Sequence, residues 1–363
     1  MDPENNVVFV KEIINGDCLL MLNDKDDLYT ICSSYNVLLT VNISIIRANT
    51  SEMEHIATVE NFLSVTGDDA GNLMYSGFYP GLFILKYNTT ETVVVKNLEN
   101  FIIIYDPTST DKNGNTYLQG FKWDTEIGIA EHQFAVVLGD SKEGTPEGYI
   151  IEGLLDNPDK DYVDSISINS NNELLVVVTD GQRTSSVKKI SNGTITTIYA
   201  NEEYDRYSVT FNEKRTLIVA DNIAHHTSRM TSLSPDGEIV EILNSKNKTW
   251  SLGAKGISID EDGNAFIEWK SLQKSYLEFL NYTDTTTVDV DTGDIKFIYY
   301  TVIDGLNNLW IATDRDLYFL EKGSLEIQIV PNSTNLLDMW VNTKKKASEA
   351  YMSTREEFYV ISI

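Results

Sequence analysis

Short runs of apolar residues alternating with polar ones fill the chain, and clusters of Asp, Asn and Gly separate them. A period of two places successive side chains on opposite faces of a strand. Turns of the Asp-Gly or Asn-Asn kind between such runs mark antiparallel hairpins. There are 7 prolines in 363 residues and no sustained helical period. The pattern therefore predicts an all-β protein.

The runs recur as a unit: an apolar strand, an Asp/Asn/Gly turn, a second alternating strand, a short polar connection, then a third strand and often a fourth. Its clearest copies are Ile257-Ser-Ile-Asp-Glu-Asp-Gly-Asn-Ala-Phe-Ile-Glu-Trp269 and the segment from Thr301 to Leu320. Second strands begin near Leu28, Leu73, Thr116, Leu174, Leu217, Ala265, Leu309 and Ala350, a mean step of 46 residues. That is the spacing of a propeller blade, so a single β-propeller of four-stranded antiparallel blades over 1–363 is expected. Eight blades are favoured, with counts of six or seven left open. The last copy has room for three strands, and the N-terminal run from Asn6 to Ile14 is placed to supply the fourth and close the ring. The one long step, from Thr116 to Leu174, implies an insertion around Ser141–Gly148, read as a surface loop. No linker divides the chain.

Composition narrows the function. With 28 Lys and Arg against 55 Asp and Glu, the net charge is −27, which argues against nucleic acid or anionic lipid as a partner. A chain that is 42% hydrophobic carries a large core, and no apolar run reaches the roughly 20 residues of a membrane-spanning helix. A monomer is expected. Gly-x-Ser-x-Gly, His-Glu-x-x-His, Gly-x-x-x-x-Gly-Lys and Cys-x-x-Cys are all absent, so the commonest hydrolase, metalloprotease, nucleotide and zinc chemistries have no warrant. No cofactor is predicted. A divalent ion such as Ca2+ in a central channel stays open, with no spacing that identifies its ligands. Asp289-Val-Asp-Thr-Gly-Asp294 resembles a calcium loop only superficially and reads better as a hairpin turn.

Two cysteines are present, Cys18 and Cys32. A first hairpin turning about Lys25 sets them opposite each other, where a cross-strand disulfide is geometrically allowed, against the alternative of two unrelated buried thiols. A bridge implies an oxidising compartment. Seven Asn-x-Ser/Thr sequons, at Asn42, Asn49, Asn88, Asn192, Asn247, Asn281 and Asn332, tilt the reading modestly toward a secreted glycoprotein, although Asn is also a turn residue. The opening residues lack the basic start and apolar stretch of a signal peptide and by themselves decide nothing.

The connections between second and third strands differ from the rest of the chain. They hold Phe78-Tyr79, Lys122-Trp123, Arg183, His225-His226, Trp269, Arg315 and Arg355. Propeller loops of this class share one face, so rings for stacking and cations for carboxylates point to a pocket for a flat aromatic or anionic ligand. The alternative is that nearby Asp124, Asp180, Asp221 and Asp316 neutralise the cations.

The stretches Gly71-Asn-Leu-Met-Tyr-Ser-Gly-Phe-Tyr-Pro-Gly-Leu-Phe-Ile-Leu-Lys-Tyr87 and Asn308–Leu320 resemble blade cores of the insect ommochrome-binding proteins and the yellow/royal-jelly proteins, and more loosely gluconolactonase-type propellers. Those groups are usually six-bladed. The first two imply a secreted, non-enzymatic binder of small aromatic molecules. The third implies a metal-dependent lactonase or esterase. A protein-interaction scaffold, whose partner is another protein, is the remaining reading.

Overall fold

The computed structural model describes residues 6–12, 18–22, 27–33, 40–47, 52–68, 70–77, 81–124, 129–139, 142, 144–168, 172–180, 185–200, 206–212, 214–222, 227–234, 239–244, 253–270, 274–283, 286–293, 295–313, 315–330, 333, 338–341, 349–353 and 357–362. These form eight four-stranded antiparallel sheets, seven of them simple meanders and the eighth a three-stranded meander completed by the N-terminal strand. Contacts divide the chain into two compact units, Asn15–Ala200, and Asn201–Ile363 together with Met1–Ile14.

The unit Asn15–Ala200 holds sheets 1 to 4. Their strands are Cys18–Leu22, Leu28–Ser33, Val41–Ile46 and Met53–Val59; Phe62–Gly67, Leu73–Gly77, Leu82–Leu85 and Thr92–Val94; Phe101–Thr110, Thr116–Asp124, Ile129–Val137 and Gly148–Ile150; Tyr162–Ile168, Leu174–Thr179, Ser185–Ser191 and Thr194–Ala200. The other unit holds sheets 5 to 8: Arg206–Phe211, Thr216–Asn222, Thr227–Leu233 and Ile239–Asn244; Gly253–Ile259, Ala265–Lys270, Ser275–Leu280 and Thr287–Val290; Ile298–Ile303, Leu309–Thr313, Leu317–Leu320 and Gln328–Ile329; Asp338–Val341, Glu349–Ser353 and Glu357–Ser362 with N-terminal Asn6–Glu12. In this last sheet Asn6 pairs with Ser362 and Glu12 with Glu357, so the N-terminal run supplies the fourth strand.

Second strands begin at or within one residue of the positions expected, because the period-two alternation resumes directly after each turn. Cores lie between successive sheets of each unit. Ile43, Leu73 and Leu85 join sheets 1 and 2, and Met74, Phe101 and Leu118 join sheets 2 and 3. In the other unit Leu217, Met230 and Ile267 join sheets 5 and 6, while Trp310, Phe319 and Val341 join sheets 7 and 8.

One interaction recurs at the turn between first and second strands. Asp68 Oδ1 accepts the Asn72 backbone N–H at 2.8 Å, and Asn72 Nδ2 returns a hydrogen bond to Asp68 Oδ2 at 2.9 Å. Asn72 Oδ1 then accepts Tyr87 N–H at 3.0 Å from the turn between third and fourth strands. The same clasp is built by Asp111 and Asn115 with Gly139 N–H, by Asp260 and Asn264 with Tyr282 N–H, and by Asp304 and Asn308 with Lys322 N–H. The residue before each Asn has positive φ: Gly71 at 90°, Gly114 at 77°, Gly263 at 87° and Asn307 at 67°. Only Gly and Asn enter that region cheaply, which explains the Gly-Asn and Asn-Asn pairs of the repeat.

The insertion is not a surface loop throughout. Lys142 is 5% exposed and its Nζ lies 2.8 Å from Asp68 Oδ2, itself 1% exposed. It also donates to Gly114 O at 2.6 Å and Thr116 Oγ1 at 2.9 Å. The expectation failed because lysine in a polar stretch usually reads as solvated; here three acceptors compensate its desolvation. Asp289–Gly293 is likewise no hairpin turn, and Asp294 lies outside the described residues. Asp291 Oδ1 accepts Gly293 N–H at 2.9 Å in the link from the fourth strand of sheet 6 to the first of sheet 7.

Removing Lys142 strands a buried carboxylate, so Lys142→Met should lower the unfolding free energy by about 3–5 kcal/mol in urea titration. Asn308→Ala deletes two side-chain hydrogen bonds of one clasp and should cost about 2–3 kcal/mol in the same assay.

Candidate functional site

The clasped turns of neighbouring sheets are hydrogen-bonded to one another within each unit. In Asn15–Ala200, Tyr29 Oη donates to Gly71 O at 2.7 Å, Lys142 bridges Asp68 and Gly114 O, and Lys112 N–H reaches Asn172 Oδ1 at 3.1 Å. In the other unit, Asn212 Nδ2 donates to Asp260 O at 2.8 Å, and Glu261 N–H to Asn307 Oδ1 at 3.3 Å. In sheets 1 to 7 one end carries the first–second and third–fourth turns, so in each unit the second–third connections of those sheets gather at the opposite end. That open rim is the candidate site.

In the unit carrying sheets 6 and 7 it holds a basic and aromatic patch. Lys270 pairs with Ser275 and Trp269 with Tyr276 across the hairpin. Ser275 N–H donates to Lys296 O at 2.6 Å, and its Oγ accepts Ile298 N–H at 3.1 Å, which ties the link Asp291–Phe297 to the hairpin. Ile298 pairs with Thr313, and the bulge between Ile298 and Tyr300 leaves Tyr299 as the extra residue. Tyr276 is 40%, Phe297 37% and Tyr299 50% exposed. Lys274 Nζ lies 4.7 Å from the Tyr276 ring centroid, within cation–π range. Lys270, Lys296 and Arg315 are exposed, and among the described residues they make no ion pair, Asp316 included. Elsewhere Lys96, Lys214 and Lys322 each hold a carboxylate. Guanidinium and ammonium groups without partners, set among exposed rings, attract anions and stack flat molecules.

Trp269 does not belong to that surface. It is 2% exposed, packs with Leu217, Val219 and Met230, and its indole N–H donates to Glu278 Oε2 at 2.7 Å. Period-two alternation carries Ala265, Ile267 and Trp269 to one buried face, so the residue placed on a loop from sequence is a core residue. Phe297, Tyr299 and Lys296 were missed because they lie at a strand start, where an aromatic run reads as core. The bulge was the absent signal.

In the unit Asn15–Ala200, Lys122 is exposed at the same end of sheet 3. Trp123 sits in the strand Thr116–Asp124 opposite Ala130; its side chain lies outside the described set. Phe121 packs on His132 with centroids 4.5 Å apart, and His132 on Tyr162 at 6.1 Å. Burial holds the His132 imidazole below its ordinary value, with Asp161 opposing. Phe78, Tyr79, Arg183, His225, His226 and Arg355 lie outside the described residues. Cys32 is disulfide-bonded, and the residue facing it in the ladder is Cys18, the only other cysteine of the chain. Among the described residues no group of three or more His, Cys, Asp or Glu is placed to hold a metal ion.

No protein-family model and no curated protein matches this chain. Solved structures do. The β-propeller domain of the Trilobed protease from Pyrococcus furiosus is similar at 9% identity and a TM-score of 0.52, covering 87% of this chain and 98% of that one. A streptogramin B lyase gives 12% identity and 0.50 over 83% and 93%. One of two prolyl endopeptidases gives 9% and 0.60 over 95% of this chain and 54% of that one. The fold is a β-propeller. At these identities the likeness extends to the fold and no further.

His132 allows a test by pH. Its folded pKa lies below the ordinary 6.5, so between the two values the unfolded chain binds more protons. Stability should therefore fall as pH drops below 6.5 and level off beneath the folded value. Thermal melts of His132→Phe should lack this segment of the wild-type pH profile.

Proposed function

We propose that the chain is a non-catalytic binding propeller that takes a small aromatic anion on the open rim of sheets 6 and 7. The observation that carries this is the set Lys270, Lys296 and Arg315, exposed and without ion pairs among the described residues, together with the exposed rings of Tyr276, Phe297 and Tyr299, in a chain of net charge −27. An overall negative surface repels anions at a distance, so cations kept free of partners make a local exception to it. Flat rings recognise a flat ligand, and the cations recognise its carboxylate. The blade stretches that resemble ommochrome-binding and yellow proteins support the same ligand class. The oxidised Cys32 supports secretion into an oxidising compartment.

The test uses 1-naphthoate, with uncharged 1-naphthamide as control, in isothermal titration. The acid should bind more tightly than the amide, and Arg315→Ala or Lys270→Ala should weaken the acid by about tenfold, near 1.4 kcal/mol, while leaving the amide unchanged. Equal affinity for acid and amide, or unchanged affinity in both variants, overturns the proposal.

A further inference from the structure

Four sequons fall among the described residues, and the structure separates them into two kinds. Asn88 and Asn192 stand in the turns between third and fourth strands of sheets 2 and 4. Both have positive φ, 59° and 49°, and both are exposed. Their side-chain amides make no hydrogen bond among the described residues. Gly193 also has positive φ, at 74°, so Asn192-Gly193 is the centre of a primed two-residue hairpin turn. A left-handed turn by itself explains an Asn. It does not explain the hydroxyl two residues on, which Thr90 and Thr194 supply, both exposed. The other two amides are engaged. Asn281 is half-buried and its Oδ1 accepts Thr283 N–H at 2.8 Å. Asn42 lies inside a third strand, between Cys32 and Thr58, and its Oδ1 accepts Thr58 Oγ1 at 2.9 Å.

We infer that Asn88 and Asn192 are N-glycan attachment sites and that Asn42 and Asn281 stay bare. The co-reactant is an oligosaccharide linked through diphosphate to a lipid. Asn Nδ2 attacks C1 of the first sugar, the N–C bond forms as the C–O bond to diphosphate breaks, and the Nδ2 proton passes to a base of the transferase. From a turn apex the glycan leaves along the side chain into solvent. At Asn42, whose side chain is also exposed, the backbone is instead held extended by ladders on both sides and Oδ1 is taken by Thr58. Both turns lie at the end of their sheets that carries the first–second turns, opposite the second–third connections of the same sheets. The inference is independent of the ligand and rests on the secretory setting that the Cys32 bridge supports.

The full chain is secreted from a eukaryotic host behind a cleavable leader, treated with peptide-N-glycosidase in heavy-oxygen water, and mapped by peptide mass spectrometry. Labelled Asp is expected at 88 and 192. Thr90→Ala should lose only the label at 88 and Thr194→Ala only that at 192; Thr→Ser at either position should keep it, which leaves the strained turn untouched. No label at Asn88 or Asn192, or a label at Asn42 or Asn281, overturns the assignment of that residue. Intact mass without reductant on the same sample reads the bridge separately, so a failed bridge and a failed acceptor are distinguished.

Discussion

The Asp–Asn clasp is the constraint on which the rest of the fold depends. A meander has no intrinsic reason to keep its two hairpin turns in register, since each is closed by its own ladder. The clasp joins them: one carboxylate orders the first turn, and the asparagine it holds anchors the second. The outer carboxylate oxygen then takes one more donor, Lys142 on Asp68, Tyr117 on Asp111 and Trp310 on Asp304. On Asp111 this raises the Tyr117 phenol to about 12, chiefly by burial and then by the neighbouring negative charge. A charged group at each turn is thus fully committed, which low-dielectric surroundings demand.

That commitment also organises the acidity. The clasp carboxylates are consumed by backbone N–H groups and asparagines, and that of Asp68 by Lys142 as well. Asp262 receives both Lys214 and Lys322, which pull its carboxyl below the usual range. At the open end of sheets 6 and 7 the balance is reversed: the acids Glu268 and Glu278 are buried behind the surface, and the cations face outward.

Much of this was legible before any coordinates. The strand starts at Leu28, Leu73, Thr116, Leu174, Ala265 and Leu309 follow directly from alternation broken by Asp/Asn/Gly turns. The Cys18–Cys32 register was legible because a tight hairpin fixes pairing by counting. Side-chain destinations were less so. Trp269 and Lys142 both defeat composition: a loop-like neighbourhood hid a buried indole, and an insertion rich in Gly, Pro and Glu hid a buried ammonium. Tyr299 needed the bulge, which depends on how two strands pair and has no local signature. The clasp itself was written in the recurring Asp-x-x-Gly-Asn pattern, but its third partner is contributed from 14 to 24 residues downstream, beyond what a turn motif encodes.

The last strands of several sheets are very short: three residues in Thr92–Val94 and in Gly148–Ile150, four in Thr287–Val290, two in Gln328–Ile329. Of the longer ones, Met53–Val59 and Thr194–Ala200 carry Glu, His and several Thr, whereas Ile239–Asn244 and Asn6–Glu12 are mostly apolar. A protein made of many sheets has many free edges, and each exposes unpaired N–H and C=O groups to any other chain. Keeping those edges to two to four residues, or lining the longer ones with polar side chains, gives an approaching strand too little ladder to hold. Where its edges are short or polar, a fold that is almost entirely sheet is in this way hindered from nucleating fibrils with its own copies.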